Sequence, residues 1–269
     1  MTSARMRTLA SLRGDIARLE AHLKANGDVL DLRRVALGHA EADAVLQGGL
    51  AAGVMHEVFA EAGRQTSAAT GFVAGLAARV AARRPLLWVR QDFIERETGA
   101  LSPGGLAELG LDPRRLVTVR AADVESALRT VADALACDAL GAVVLEVWGA
   151  ARQLDLVASR KLTLAAQASG VTGVLLRSAA QPEPSTAETR WIVRAAHSPP
   201  AAPWSAWGAP LFDAQLVRNR HGSLGHWIME WNCDEGIFRA GTTAHSQPVA
   251  ATPAHRSDQA SVIRQRRAG

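Results

Sequence analysis

The sequence predicts an α/β protein with a mostly parallel sheet that is flanked by helices and finishes in antiparallel strands. Between residues 54 and 177, continuous apolar runs alternate with amphipathic helical patterns, which is typical of parallel strands covered on both faces. After residues 181–184 (QPEP), strand-like runs follow one another with Gly, Pro and Asn turns and without a long helix. This change predicts the antiparallel finish.

Residues 1–27 are predicted to form a separate N-terminal amphipathic helix. Apolar side chains recur there at spacings of 3, 4, 3 and 4 residues, and they share one stripe: Leu9, Leu12, Ile16, Leu19 and Leu23. The pair Asn26 and Gly27 supplies a C-terminal stop. Two interpretations stay open, because the stripe can pack on its own domain or dock onto a neighbouring protomer or another protein.

The remaining chain divides into a connector, a core and a tail. Residues 28–53 are predicted to be a connector with a break at Gly48 and Gly49, and residues 54–240 a core domain. Core strands are predicted at 54–59, 86–89, 115–119, 142–148, 173–176, 191–195, 211–217 and 226–231, and core helices at 66–82, 103–109, 124–137 and 154–169. Residues 241–269 are polar and end in several arginines, so they are predicted to be a disordered basic tail.

Composition excludes several classes of protein. An uninterrupted apolar run of about 18 residues is absent, as is the apolar block of a signal peptide, so we expect a soluble, cytoplasmic protein. Cys137 and Cys233 belong to no C-x-x-C pair. His221 and His226 beside Cys233 lack a fourth ligand and a known spacing. We therefore predict neither a metal site nor a disulfide framework.

Nearly all the basic residues are arginines. The chain has 30 Lys and Arg residues and a net charge of +4, yet its only lysines are Lys24 and Lys161. This bias can reflect GC-rich coding, or it can reflect a surface that grips phosphates with bidentate contacts. The second interpretation requires clustering in space, so DNA-binding residues stay unassigned.

A degenerate phosphate-binding loop follows the first core strand. Residues 63–70 (GRQTSAAT) match the frame G-x4-G-K-[ST], with Ala68 at the second glycine and Ala69 at the lysine. Thr70 keeps the hydroxyl that would bind Mg²⁺, and Gly63 keeps the first glycine. Because a P-loop lysine reaches the β and γ phosphates, its loss predicts that no nucleotide cofactor binds productively.

Two strand ends carry acids that nucleotide sites use. Glu146 ends an apolar strand where the second nucleotide-site motif usually has aspartate, and Asp92 follows the strand LLWV where some ATPases keep a catalytic acid. With the lysine missing, we interpret both carboxylates as structural or solvated and predict no catalytic residue.

Two tryptophans lie in a proline-rich loop. Trp204 and Trp207 occur in PPAAPWSAWGAP, where they can cover the edge of the core or anchor a partner protein. Both interpretations stay open.

Several segments together resemble known families. The phosphate-loop frame, the acid-tipped strand and the antiparallel finish resemble the RecA-type recombinase core. Further segments resemble the ImuA family, a RecA-like group that is also related to SulA; they are residues 54–58, 69–72, the LLWV strand, Gly105 and Leu106, Gly110 and Leu111, 187–191 and 216–222. The similarity spans roughly residues 44–231.

The resemblance implies an accessory protein in SOS-induced translesion DNA synthesis that is not an enzyme. Its implied partners are an ImuB-type polymerase-like protein without polymerase activity, an error-prone replicative-type DNA polymerase, and RecA, with self-association and weak or indirect DNA contact. Residues 177–191 are short for the mobile DNA-binding loop of a recombinase. Two alternatives stay open: a divergent RecA-like ATPase or recombinase with weak DNA binding, and a SulA-like inhibitor of cell division.

Overall fold

A nine-stranded sheet forms the centre of the structure, a computed structural model that describes residues 32–60, 65–200 and 208–241. In chain order the elements are β1 (Arg34–Val35), α1 (Ala40–Val45), β2 (Leu50–Ala51), β3 (Met55–Ala60), α2 (Thr66–Ala81), β4 (Leu86–Gln91), α3 (Asp92–Thr98), α4 (Pro103–Glu108), a 3₁₀ turn (Pro113–Arg115), β5 (Leu116–Ala121), α5 (Val124–Leu135), β6 (Ala142–Trp148), α6 (Leu156–Ser169), β7 (Thr172–Ser178), β8 (Thr189–Ala195), β9 (Leu211–Asn219), β10 (Gly225–Asn232) and β11 (Ile237–Ala240).

The strand order is β11-β10-β9-β8-β3-β7-β6-β4-β5. Strands β8, β3, β7, β6, β4 and β5 run parallel to one another, whereas β9, β10 and β11 join by antiparallel pairing. The prediction of an α/β fold with a mostly parallel sheet and antiparallel C-terminal strands is therefore confirmed. β7 separates β3, which precedes the phosphate-loop frame, from β6, which carries Glu146.

Both faces of the parallel strands are covered, which explains their continuous apolar sequences. One face packs against α2, whose Phe72, Val73 and Leu76 are buried. The opposite face packs against α5 and α6, with Val131 and Leu162 in the interface. Because helices cover both faces, the parallel strands of the described core can present functional side chains only at the two edges where they begin and end.

An aromatic cluster attaches the antiparallel strands to α2. Phe72 contacts the rings of Trp191, Phe212 and Phe238, and Trp231 packs against Phe238 with a centroid separation of 4.8 Å. Gly75 permits this approach, because a Cβ atom at that position would lie 2.7 Å from the Phe238 ring. The C-terminal strands are therefore part of the same core as the parallel sheet.

The segment predicted to be a connector is packed against that core from residue 32 onward. Strands β1 and β2 pair antiparallel, and Leu37, Leu46 and Leu50 are buried in the main core. Gly49 has a φ of +127°, and a Cβ atom there would come within 2.2 Å of the Val35 carbonyl oxygen. Apolar burial and a tight glycine turn thus give residues 32–53 a fixed structure that spacing alone did not indicate.

Several predictions concern positions outside the described residues. They are the N-terminal helix with its apolar stripe, the tail from residue 242, Gly63, Trp204 and Trp207. In the part that the structure does describe, each helix is too short or too polar to cross a lipid bilayer.

Candidate functional site

The described part of the degenerate phosphate-loop frame, residues 65–70, lies at the start of α2, the helix that follows β3 in the chain. Helix α2 already starts at Thr66, so Ala68, Ala69 and Thr70 all lie within its first turns. Ala69, at the lysine position, is completely buried in the hydrophobic core, and Ala68 packs against that core. A lysine side chain at position 69 would therefore begin inside the protein, beneath the helix.

A cleft of about 320 Å³ opens beside this helix start. Thr66, Ser67 and Thr70 line one wall, and the chain from Thr98 to Leu109 lines the other. Among the described residues, Arg90 is the only charged one that lines this cleft. The cleft thus offers hydroxyl groups to a ligand, and its capacity to bind phosphate depends on whether Arg90 is available.

Arg90 is already committed to a buried ion pair with Glu146. Its Nε atom lies 2.6 Å from Glu146 Oε2 and its Nη2 atom 3.4 Å from Glu146 Oε1. The two residues are direct neighbours in the register of β4 and β6. Arg90 also donates to the Gly99 carbonyl at 3.0 Å and to Thr98 Oγ1 at 3.1 Å, so little of its donor capacity remains for a ligand.

Glu146, the predicted second-motif acid, is fully buried. Besides the Arg90 guanidinium, it accepts a hydrogen bond of 3.1 Å from Trp88 Nε1. A carboxylate that positions a hydrated Mg²⁺ must reach the ligand side of the site. Here both oxygens are turned toward neighbouring side chains, which supports the structural interpretation of this acid.

Asp92, the second candidate acid, lies at the start of α3 and is partly exposed. Arg120 approaches it with Nε 3.0 Å from Asp92 Oδ1 and reaches Glu95 as well, at 3.3 Å. Its neighbour Phe93 is 48 % exposed and packs edge-on against Trp148. Asp92 is therefore one member of a surface ion-pair group at the carboxyl edge of the sheet.

A second buried ion pair lies across β3 and β8. Glu57 and Arg190 are register neighbours, with Arg190 Nε 2.7 Å from Glu57 Oε2. The Arg190 and Arg177 guanidinium groups lie 5.6 and 5.9 Å from the centroid of the Phe59 ring. Burial lowers the pKa of Arg177 from its usual range, and the nearby carboxylates of Glu183 and Glu57 oppose that shift. Sequence reasoning missed this cluster, although Glu57 and Arg190 are visible in the sequence as charged residues within apolar strands.

The short segment between β7 and β8 is fixed by hydrogen bonds rather than open. Thr186 donates its backbone N–H to Ser159 Oγ at 2.9 Å, and its hydroxyl lies 2.7 Å from Thr163 Oγ1. The Ser185 carbonyl accepts from Arg218 at 2.9 Å. These contacts attach residues 185 and 186 to α6 and β9, which agrees with the expectation that this segment is short for a mobile DNA-binding loop.

The histidines and cysteine considered as metal ligands have separate partners. His226 contacts Asp213, whereas His221 Nε2 lies 3.6 Å from Glu188 Oε1. Burial, with a smaller contribution from Asp234, raises the pKa of the Cys233 thiol. Across residues 32–60, 65–200 and 208–241, His, Cys, Asp and Glu side chains do not gather into a group of three that could hold a metal ion.

Comparison with known proteins identifies relatives for most of this chain. It is 33 % identical over 197 residues to "Protein ImuA" of Caulobacter vibrioides strain NA1000 / CB15N, and the match covers 68 % of this chain and 77 % of that protein. "Protein ImuA" of strain ATCC 19089 / CIP 103742 / CB 15 matches with the same identity and coverage. No protein-family model matches the sequence.

Proposed function

The chain belongs to the ImuA family, and on that premise we propose that it is a non-catalytic, RecA-like accessory protein in SOS-induced translesion DNA synthesis. The main support for a non-catalytic role is the buried ion pair between Arg90 and Glu146 beside the degenerate loop. A nucleotide would require a free cation and a reachable acid at this edge of the sheet. Instead, the Arg90 guanidinium and the Glu146 carboxylate neutralise each other.

The proposed role is exercised through protein partners. These are an ImuB-type polymerase-like protein, an error-prone replicative-type DNA polymerase and RecA, the set that the family resemblance implies. We propose the apolar stripe Leu9, Leu12, Ile16, Leu19 and Leu23 as the main docking element, with Trp204 and Trp207 as further anchors. Five apolar side chains at helical spacing would bury enough surface to decide whether a complex forms, since each contributes roughly 1.5 to 3 kcal/mol before ordering costs.

We expect the purified protein to hydrolyse no ATP and to gain no thermal stability from Mg-ATP. The reasons are that Ala69 supplies no ammonium group and that Arg90 is already paired. Ala69→Lys alone should not restore activity, because Ala68 still occupies the glycine position and residue 69 is buried. Phosphate release and the unfolding midpoint with and without Mg-ATP measure both outcomes. Robust turnover that disappears in Thr70→Ala would establish the divergent ATPase instead.

The experiment that tests the accessory role is co-purification from cells with and without DNA damage. The tagged full-length chain should retain the ImuB-type protein and the error-prone polymerase after damage. A matched chain carrying Leu12→Asp and Leu19→Asp should keep the circular dichroism spectrum of the folded core and lose these partners. Recovery of cell-division proteins in place of polymerases would support the SulA-like alternative and contradict the proposal.

A further inference from the structure

The amino-terminal edge of the parallel strands, opposite the degenerate nucleotide site, carries a group of basic side chains. Two of them precede β4, two belong to or adjoin β1, and two follow β9, whose end at Asn219 pairs with Thr189 at the start of β8. We call this group the amino-edge arginine surface; it consists of Arg33, Arg34, Arg83, Arg84, Arg220 and His221.

Two adjoining clefts bring these residues together. A cleft of about 620 Å³ is lined by Arg33, Arg83 and Arg84, together with the end of α6 at Ser169 and Gly170. A second cleft of about 350 Å³ is lined by Arg34, Arg220 and His221. Arg33 lines the first cleft and the next residue, Arg34, lines the second, so both clefts lie beside β1.

The charge of this surface is largely uncompensated. Within the described residues, none of its five arginines forms an ion pair with a carboxylate. Arg84 and Arg220 donate only to backbone carbonyls, those of Asp138 at 2.9 Å and Thr186 at 3.3 Å. In the part of the chain that the structure describes, Glu188 is the only carboxylate that lines either cleft, and its side chain is 5 % exposed.

Four other exposed arginines contrast with this arrangement, whereas Arg96 and Arg152 are exposed and form no ion pair within the described residues. Arg114, Arg120, Arg129 and Arg239 each pair with an acidic side chain. Basic charge is thus balanced on those parts of the described surface, while it accumulates at the amino edge. Unbalanced charge of one sign in a cleft attracts a partner of the opposite sign.

The side chains around the arginines favour phosphate groups as that partner. Guanidinium groups match phosphate oxygens in a planar, two-bond geometry that a lysine ammonium cannot offer. The second cleft adds neutral amide donors from Gln167 and from Gln47, which also donates to the His221 carbonyl; such groups contact nucleic-acid backbones. Of residues 32–60, 65–200 and 208–241, no aromatic side chain lines either cleft, so these residues supply no base stacking there.

We propose that the amino-edge arginine surface binds the phosphate backbone of DNA without reading its sequence. We choose DNA among polyanions because of the proposed function, on which this step rests. The surface supplies the clustering in space that a phosphate-binding interpretation of the arginine bias requires, since residues far apart in the chain gather at one edge of the sheet. Binding is expected to be weak at physiological salt and steeply salt-dependent, because it consists of phosphate contacts alone.

The test compares two double charge reversals that change the net charge equally. Arg33→Glu with Arg83→Glu alters the amino edge at two exposed side chains that make no hydrogen bond within the described residues. Arg96→Glu with Arg152→Glu alters two exposed arginines at the opposite edge. Fluorescence anisotropy of labelled oligothymidylate and of a DNA duplex is recorded across a salt series, with circular dichroism to verify folding.

For the single strand, loss of two phosphate contacts should reduce the slope of log K against log salt by about 1.4 and the affinity at 0.1 M salt roughly 25-fold. The opposite-edge variant should bind like the wild type. Equal losses in both variants, wild-type binding by the amino-edge variant, or no binding by the wild type at low salt would each overturn the inference.

Protein binding at this surface has a different signature. If Arg33→Glu with Arg83→Glu loses the co-purifying polymerase partners while its DNA affinity is unchanged, the surface docks a protein and the DNA inference is wrong, but the accessory role stands. If partners never co-purify while the DNA result holds, the accessory role fails and the inference survives.

Discussion

Replacing Arg90 with methionine should lower the free energy of unfolding by about 3 to 5 kcal/mol, the usual cost of leaving one partner of a buried ion pair without compensation. Glu146 is fully buried, and Arg90 supplies its opposing charge. In the variant, this carboxylate would keep only the hydrogen bond from Trp88. Urea unfolding followed by circular dichroism measures the change.

The double variant Arg90→Met with Glu146→Gln should be more stable than Arg90→Met alone. Removing the second charge relieves the desolvation cost, and the glutamine carbonyl can still accept from Trp88 Nε1. Arg129→Met is the matched control, because its pair with Glu125 is exposed on α5 and should cost no more than about 0.5 kcal/mol. A small effect of Arg90→Met, or a double variant no more stable than the single one, would show that Glu146 is not held as a buried charge.

This ion pair also explains where the sequence-based prediction of β4 stopped too early. The apolar run LLWV predicted a strand over 86–89, whereas β4 extends through Arg90 to Gln91. A charged residue normally marks the point where a strand reaches solvent. Arg90 is buried because its partner belongs to β6, more than 50 residues away in the sequence. The local sequence pattern around Arg90 contains no information about its pairing with Glu146. β6 was predicted with its observed bounds of Ala142–Trp148, because the apolar residues Val147 and Trp148 continue the run beyond Glu146.

The elements that the sequence did not indicate are short. α1, α3 and β11 contain six, seven and four residues, too few to establish a periodic pattern. Their positions depend on tertiary contacts. The Leu37 N–H donates to Asp43 Oδ1 of α1 at 2.7 Å, and the Leu37 carbonyl accepts from Phe238 N of β11 at 2.9 Å. Such contacts form only when the core has assembled.

For the candidate site, the sequence located the junction of β3 and α2 and identified the missing lysine. It could not indicate that Glu146 is enclosed by Arg90 and Trp88, because those three side chains come from two strands. The sequence alone also could not decide between the two interpretations of the arginine bias, GC-rich coding and a phosphate-binding surface. Gathering Arg33, Arg83 and Arg220 at one edge follows from the strand order, which spacing does not contain.

Acidification should destabilise the protein through His56, which is fully buried in β3. Its Nε2–H donates to the Ala51 carbonyl at 2.8 Å, so Nδ1 of the neutral ring accepts from the Thr189 hydroxyl at 2.7 Å. Thr189 Oγ1 accepts in turn from Trp191 Nε1 at 3.0 Å. Burial lowers the pKa of His56 from 6.5 to about 4, and the Arg34 charge acts in the same direction while the Ala51 hydrogen bond opposes it.

Because the folded pKa lies below the unfolded value, the unfolded chain binds the proton first. Stability is therefore full above about pH 6.5 and falls as the pH approaches 4, by about 3 kcal/mol from this group. His56→Gln, which retains a donor toward Ala51 and does not titrate, is the matched control. Urea unfolding of both proteins across this range should show the wild type losing about 3 kcal/mol more than the variant. Parallel losses would mean that His56 is not kept neutral by burial and that β2 and β8 are held to β3 by other contacts.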